Sequence, residues 1–146
     1  MRGSLRTFSE SNVMSTSWAF LADPETYGWD DLVREGRTVW DGVRNASAQR
    51  NLQRCEKNDQ VLIYHTAPDK AAVGIARVVR TAYPDPKNEK LVVVDVEPVR
   101  ALGNHVTLAA MKADDILKEM SFVRMPRVAV QPITAAQWKR IEKLGG

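Results

Sequence analysis

Trp18, Trp29, Trp40 and Tyr64 all fall in the first half of the chain, each beside a turn or at the end of an extended run. Trp40 stands immediately before Asp41-Gly42-Val43-Arg44-Asn45. An indole next to a turn can stack on a planar polar ring, a contact worth ~1–3 kcal/mol when the ring is a nucleobase. Asparagine adds both a donor and an acceptor for the edge of such a ring. The same residue types build cores, and tryptophan is a core residue more often than a ligand platform. The spacing alone leaves both readings open.

Catalytic chemistry finds less support. The chain has two histidines, His65 and His105, and one cysteine, Cys55, with no spacing that suits a zinc site. Gly42 and Gly74 stand alone, so no glycine-rich phosphate loop is present. A Cys55–His65 nucleophile pair is conceivable. Cys55, however, shares a helical apolar face with Ala48 and Leu52, which favours an inert buried thiol. The carboxylate pairs Asp30-Asp31 and Asp114-Asp115 sit at expected helix starts, where they meet the helix dipole. The expectation is a binding protein without enzyme activity, metal or cofactor.

The elements that must position these residues fit in one domain. The chain has 146 residues, 44% hydrophobic and 27% charged, enough for a core without disulfide or metal staples. No apolar run reaches the ~20 residues of a membrane helix, so no membrane partner is expected. A single cysteine fits a reducing cytoplasm. Residues 1–13 are polar and aperiodic and precede Met14; they are expected to be a disordered leader or an added segment, with the domain over residues 14–146. The net charge of +3 and pI of about 9.2 permit nucleic-acid binding without a large basic field.

Along the chain, Trp18–Ala22 reads as a buried strand broken by Asp23-Pro24, and Trp29–Arg34 as a short helix ended by Gly36. Thr38–Trp40 is extended. Asn45 caps a helix to about Glu56, with Arg50, Arg54 and Lys57 on its polar face. Strands are expected at Gln60–Thr66, Ala72–Thr81, Leu91–Val96 and Arg127–Val130, with Gly74 as a bulge or close approach and Tyr83–Pro86 as a loop. Thr107 caps a helix through Lys112, and another follows around Asp115–Lys118. Thr134 and Gln137 form a capping box for a last helix whose inward residues are expected to be Ala135, Trp138, Ile141 and Leu144. Short strands with helices between them indicate an α+β fold, a mixed β-barrel decorated by helices.

The segment Trp40-Asp-Gly-Val-Arg-Asn45, with Tyr64-His65-Thr66 about twenty residues on, resembles the signature of the EVE domain family. Further pieces correspond in order: Trp18–Pro24, Val73–Ala76, Tyr83–Asp85, Val94–Val96, Val106–Leu108 with Lys112, and Arg127–Val130. The likeness runs from Trp18 to Leu144. It implies a PUA-like mixed β pseudobarrel surrounded by several helices. It also implies a reader of a modified base, chiefly modified cytosine in DNA, with a kinship to readers of methylated adenosine in RNA. Such a reader takes its base out of the stack, at a cost of a few kcal/mol that enclosure must offset.

From this resemblance Trp18 and Trp40 are expected to supply aromatic surface, with Leu21 and Val43 beside them. Asn45 is expected to read a base edge, and Arg44 to contact phosphate or brace the loop. Tyr64, His65 and Thr66 would form the opposite wall, His65 either as a contact or as a structural histidine. Arg127 would anchor phosphate or the pocket floor. Arg50, Arg54 and Lys57 would follow the nucleic-acid backbone, or form a solvated face. The chain departs from the family pattern at Leu21 and Asp23 (lysine and an acid there), at Ala46 and Gln49 (tyrosine lost, arginine moved to Arg50) and at Ala129 (serine). The expected partner is modified DNA or RNA bound by a monomer, with any effector protein unspecified. A small-molecule or nucleotide sensor using the same pocket is the alternative, and an enzyme acting through Cys55 or His65 the third.

Overall fold

The computed structural model describes residues 17–125 and 127–146; the expected leader at residues 1–13 lies outside them. Six strands form one mixed sheet: β1 (Ser17–Ala22), β2 (Thr38–Trp40), β3 (Gln60–His65), β4 (Ala71–Asp85), β5 (Asn88–Thr107) and β6 (Val130–Ile133). Their order is β2-β5-β4-β3-β1-β6. β1 runs parallel to β3, pairing Trp18 with Val61 and Ala22 with His65, and antiparallel to β6. Among the described residues five helices surround the sheet: α1 (Trp29–Glu35), α2 (Ala46–Arg54), α3 (Leu108–Ala113), α4 (Ser121–Arg124) and α5 (Ala135–Gly145), with a 3-10 turn at Leu117–Glu119.

Alternation along the strands divides the apolar side chains between two cores. One contains Trp18 and Phe20 of β1, Trp40 of β2, Val61 and Ile63 of β3, Val73 and Val78 of β4, Val94 and Val96 of β5, and Val130 of β6. All six strands therefore face one interior, which is what makes the curled sheet a PUA-like pseudobarrel. α2 packs against β6, β5 and β4 and places Ala48, Leu52 and Cys55 in that interior. The second core lies on the outer face, where Leu62, Tyr64, Ile75 and Leu102 meet Met111, Phe122, Trp138 and Ile141 of α3, α4 and α5.

The caps follow the sequence. Asn45 Oδ1 accepts from the Ala48 amide at 3.0 Å, Thr107 Oγ1 from Ala110 at 3.1 Å, and Thr134 and Gln137 form their reciprocal box. Asp31 accepts from the Gly28 amide, and Asp114 from Ile116 and Leu117, the helix-start work expected of those acids. Gly74 sits at a register shift of β4, and a Cβ there would come within 2.6 Å of the Trp29 indole. It is both a bulge and a close approach.

Four expectations need correction. Tyr83–Asp85 belong to β4, which runs to Asp85. β3 reaches only Arg77 on that side, so Pro84 lies where the ladder needs no amide from it. β5 extends from Asn88 to Thr107, well beyond Leu91–Val96, because register shifts absorb Pro98 and Gly103. The last strand is Val130–Ile133, displaced from Arg127–Val130. Gln131 Nε2 donates to Met125 O and Val128 O, which holds the preceding residues in a turn. In α5 the buried residues are Gln137, Trp138, Ile141 and Gly145, while Ala135 and Leu144 are exposed. Steps of three residues fall about 60° short of a turn each time, so that stripe winds off the face. Among the described residues no helix is long and apolar enough to cross a membrane.

Candidate functional site

A cleft of about 770 Å³ opens at the end of the barrel where β1 stops and β2 begins. Leu21 and Ala22 end β1 on one side of it. Asp23 then folds the chain back. Its carbonyl accepts from the Thr26 and Tyr27 amides, and its carboxylate from the Glu25 amide and the Thr26 hydroxyl. That compact turn returns Tyr27 to the cleft wall. Glu35 closes α1, Arg37 follows, and Thr38, Val39 and Trp40 bring β2 along the floor. Gly42, at φ +80°, permits the turn through Asp41 to Val43. Lys87, from the β4–β5 connection, and Ala129, just before β6, complete the lining.

Trp40 is 7% exposed and is locked rather than free-standing. Its ring lies 5.5 Å from Phe20 and 6.1 Å from Tyr27, the latter edge-on at 85°. The Tyr27 hydroxyl donates to Glu35 Oε1 at 2.7 Å. Burial, and the carboxylate beside it, push the Tyr27 phenol up to about 12 against an opposing hydrogen bond with Thr38. Tyr27 therefore remains a donor at any ordinary pH. Arg37 Nη2 binds Asp95 at 3.1 Å, and Tyr83 donates to the other oxygen of the same buried carboxylate. Lys87 approaches Asp41 at 3.5 Å in an exposed pair of small energetic weight.

Of the residues expected at a site, Leu21, Trp40 and Val43 come together here. The others take different positions. Trp18 is buried in the barrel, where its Nε1 donates to Asp59 at 2.9 Å. Tyr64 is on the outer face, its ring 4.8 Å from Phe122. His65 Nε2 accepts from the Trp29 amide at 3.0 Å and its Nδ1 lies 2.8 Å from Asp69, so the ring ties α1 to β3. Thr66 donates to Ala22 O through its amide and its hydroxyl, steadying the end of β1 at the cleft. Asn45 is used as the α2 cap. Arg44 and Arg127 are exposed outside the lining.

Arg50, Arg54 and Lys57 are exposed on and after α2; Arg50 binds Ser47, and the Arg54 guanidinium lies 5.8 Å from the Trp18 ring centroid. Leu21 and Ala129, two of the departures from the family pattern, adjoin each other on the cleft wall, joined by Leu21 N to Ala129 O at 2.8 Å. Cys55 is buried away from the cleft, and burial pushes its thiol well up. That removes the thiolate a nucleophile needs. Tyr27, Glu35 and Arg37 escaped the reading of the sequence. Their one signal was position: they flank the short helix that precedes Trp40.

The sequence pattern of the EVE domain matches residues 16–144. The chain belongs to the EVE domain family. Human thymocyte nuclear protein 1 is 25% identical over 161 residues, covering 86% of this chain and 72% of the human one. The structure of Rpa0253 from Rhodopseudomonas palustris superposes with a TM-score of 0.85 at 38% identity, covering 90% of this chain and 93% of that one. The structure of human THYN1 protein in complex with 5-methylcytosine-containing DNA superposes with a TM-score of 0.83 at 24% identity, over 90% and 98% of the two chains, which likens the folds.

Proposed function

We propose that this EVE domain reads a modified base in nucleic acid, holding the base in the cleft between Trp40 and α1. The observation that carries the reading is the cleft itself: about 770 Å³, with Trp40, Leu21, Val43 and Ala129 apolar and Tyr27, Glu35 and Arg37 polar. That size and that mixture suit a ligand of nucleotide dimensions, since small-molecule sites run from ~300 to ~1,000 Å³. The DNA complex of the human family member supports modified cytosine in DNA as the first ligand to test. The base enters unstacked, and the locked Trp40 and Tyr27 rings meet it without loss of side-chain entropy. Arg44, Arg50, Arg54, Lys57 and Arg127 serve the strand outside the cleft as exposed cations.

A second reading has its own observation. Asp23, Glu35 and Asp41 outnumber Arg37 and Lys87 in the lining, which favours a ligand whose buried part carries no phosphate. A free base or nucleoside would meet that condition as well as a flipped base does.

Binding of short oligonucleotides carrying cytosine, 5-methylcytosine or N6-methyladenosine, single- and double-stranded and at two salt concentrations, separates the two. The reader predicts tighter binding of one modified base than of its parent, falling with salt as the strand cations release counterions. Val39→Glu, at an exposed position of the lining, should abolish that preference and leave the melting temperature close to wild type. Equal affinity for modified and plain strands would refute the reader. Salt-insensitive binding of the free nucleoside would favour the sensor.

A further inference from the structure

We infer that Glu35 is the specificity-determining residue of the cleft, accepting a hydrogen bond from the exocyclic amino group of the bound base and so selecting amino-bearing bases against their keto counterparts. The inference rests on the base-binding reading above and names which base edge the cleft accepts.

Glu35 lines the cleft at the last position of α1, and among the described residues the hydrogen bond to its carboxylate is the one from Tyr27. That bond occupies Oε1 and leaves Oε2 with its acceptor capacity. Tyr27 keeps its proton because burial and Glu35 itself hold the phenol high, so the donor that orients the carboxylate does not switch off. The Tyr27 ring is fixed in turn against Trp40. The carboxylate is therefore oriented by a side chain that is part of the aromatic wall, next to where a stacked ring would lie. An ionised carboxylate is an acceptor only. The C4 amino group of cytosine, or the C6 amino group of adenine, donates to it. The O4 of thymine or uracil is an acceptor and is repelled. Arg37, held at one nitrogen by Asp95, leaves guanidinium donors in the same lining for the ring nitrogen next to the amino group.

5-Methylcytosine and thymine share the ring and the 5-methyl group and differ in the amino and keto groups and the adjacent ring nitrogen. Their affinities, compared in one single-stranded sequence context with cytosine as reference, isolate this contact. Wild type should prefer 5-methylcytosine over thymine by at least about tenfold, the discrimination of one well-placed polar pair. Glu35→Gln, whose amide can donate to O4, should bring that ratio to below about threefold while the preference of 5-methylcytosine over cytosine survives. Tyr27→Phe should erode the 5-methylcytosine to thymine ratio without removing it, because the carboxylate remains but loses its orientation. Both positions are at least partly exposed, so both variants should melt close to wild type. Wild type binding 5-methylcytosine and thymine alike, or Glu35→Gln keeping the wild-type ratio, overturns the role of Glu35 and leaves the reader standing. Absence in wild type of a preference for either 5-methylcytosine over cytosine or N6-methyladenosine over adenosine overturns both.

Discussion

Gln49 binds the main chain of Val92 in both directions: its Nε2 donates to Val92 O at 3.1 Å and its Oε1 accepts from Val92 N at 2.9 Å. The side chain thus takes the place of a strand partner for β5. The same Nε2 donates to Val43 O at 2.8 Å, so one amide ties the turn beside Trp40 to the sheet. Truncation by Gln49→Ala would strand a half-buried amide and two carbonyls. The expected loss is about 2–3 kcal/mol of unfolding free energy. Urea denaturation checks it, and a loss near zero would mean that water replaces the side chain.

Gly74 faces the Trp29 indole with no room for a methyl group. Gly74→Ala should therefore destabilise by about 1–3 kcal/mol through overpacking. Trp29 opens α1, and α1 carries Glu35, so the same substitution should disturb the cleft. Denaturation gives the first effect; the tryptophan fluorescence of the folded variant gives the second.

Tyr27 should hold its proton to about pH 12. Burial also raises the phenols of Tyr64 and Tyr83, so none of the chain's three tyrosines should titrate at the ordinary value of about 10. The unfolded chain ionises first, which makes stability fall as pH rises above about 10. A phenolate absorbance titration of the folded protein tests this, and Tyr27→Phe should remove the step near 12. A full phenolate signal at pH 10 with the fold intact would contradict it.

Asp114 accepts from Arg140 Nε at 2.7 Å and from two amides, and the Arg140 guanidinium first, then the amides, hold its carboxyl below the usual range. A folded-state value below the unfolded one means the contribution is fully present above about pH 5. It is lost as pH falls through the folded value, below the unfolded reference of about 3.9. Asp114→Asn keeps an acceptor for the amides and removes the charge. It should be less stable than wild type at pH 7, with the difference shrinking as pH falls below the unfolded reference of about 3.9. A constant difference across that range would show that charge is not the cause.

Much of the fold was legible because local rules set it. Asn45, Thr107 and Thr134 announce their helices by capping chemistry that needs only the next three amides. Gly36 and Gly74 mark a helix end and a close approach. The limits of β4, β5 and β6 were not legible, because pairing partners and bulges decide where a strand stops. Proline is tolerated where the neighbour strand has already ended, as at Pro84, or beside a register shift, as at Pro98, and neither condition is visible before the strands pair.

The site divides along the same line. Sequence alone determined the family signature around Trp40, the inert setting of Cys55 on its helix face and the mild positive charge. Only tertiary structure decided which aromatics reach the cleft. Strand side chains alternate between faces, so Tyr64 goes to the outer core, while Trp18, on the same face of β1 as Phe20, goes into the barrel, where Asp59 accepts from its indole. Asp23-Pro24 and Gly36 mark the turn and the helix end in the sequence, but only the tertiary packing sets Tyr27 against Trp40 and Glu35 against Tyr27.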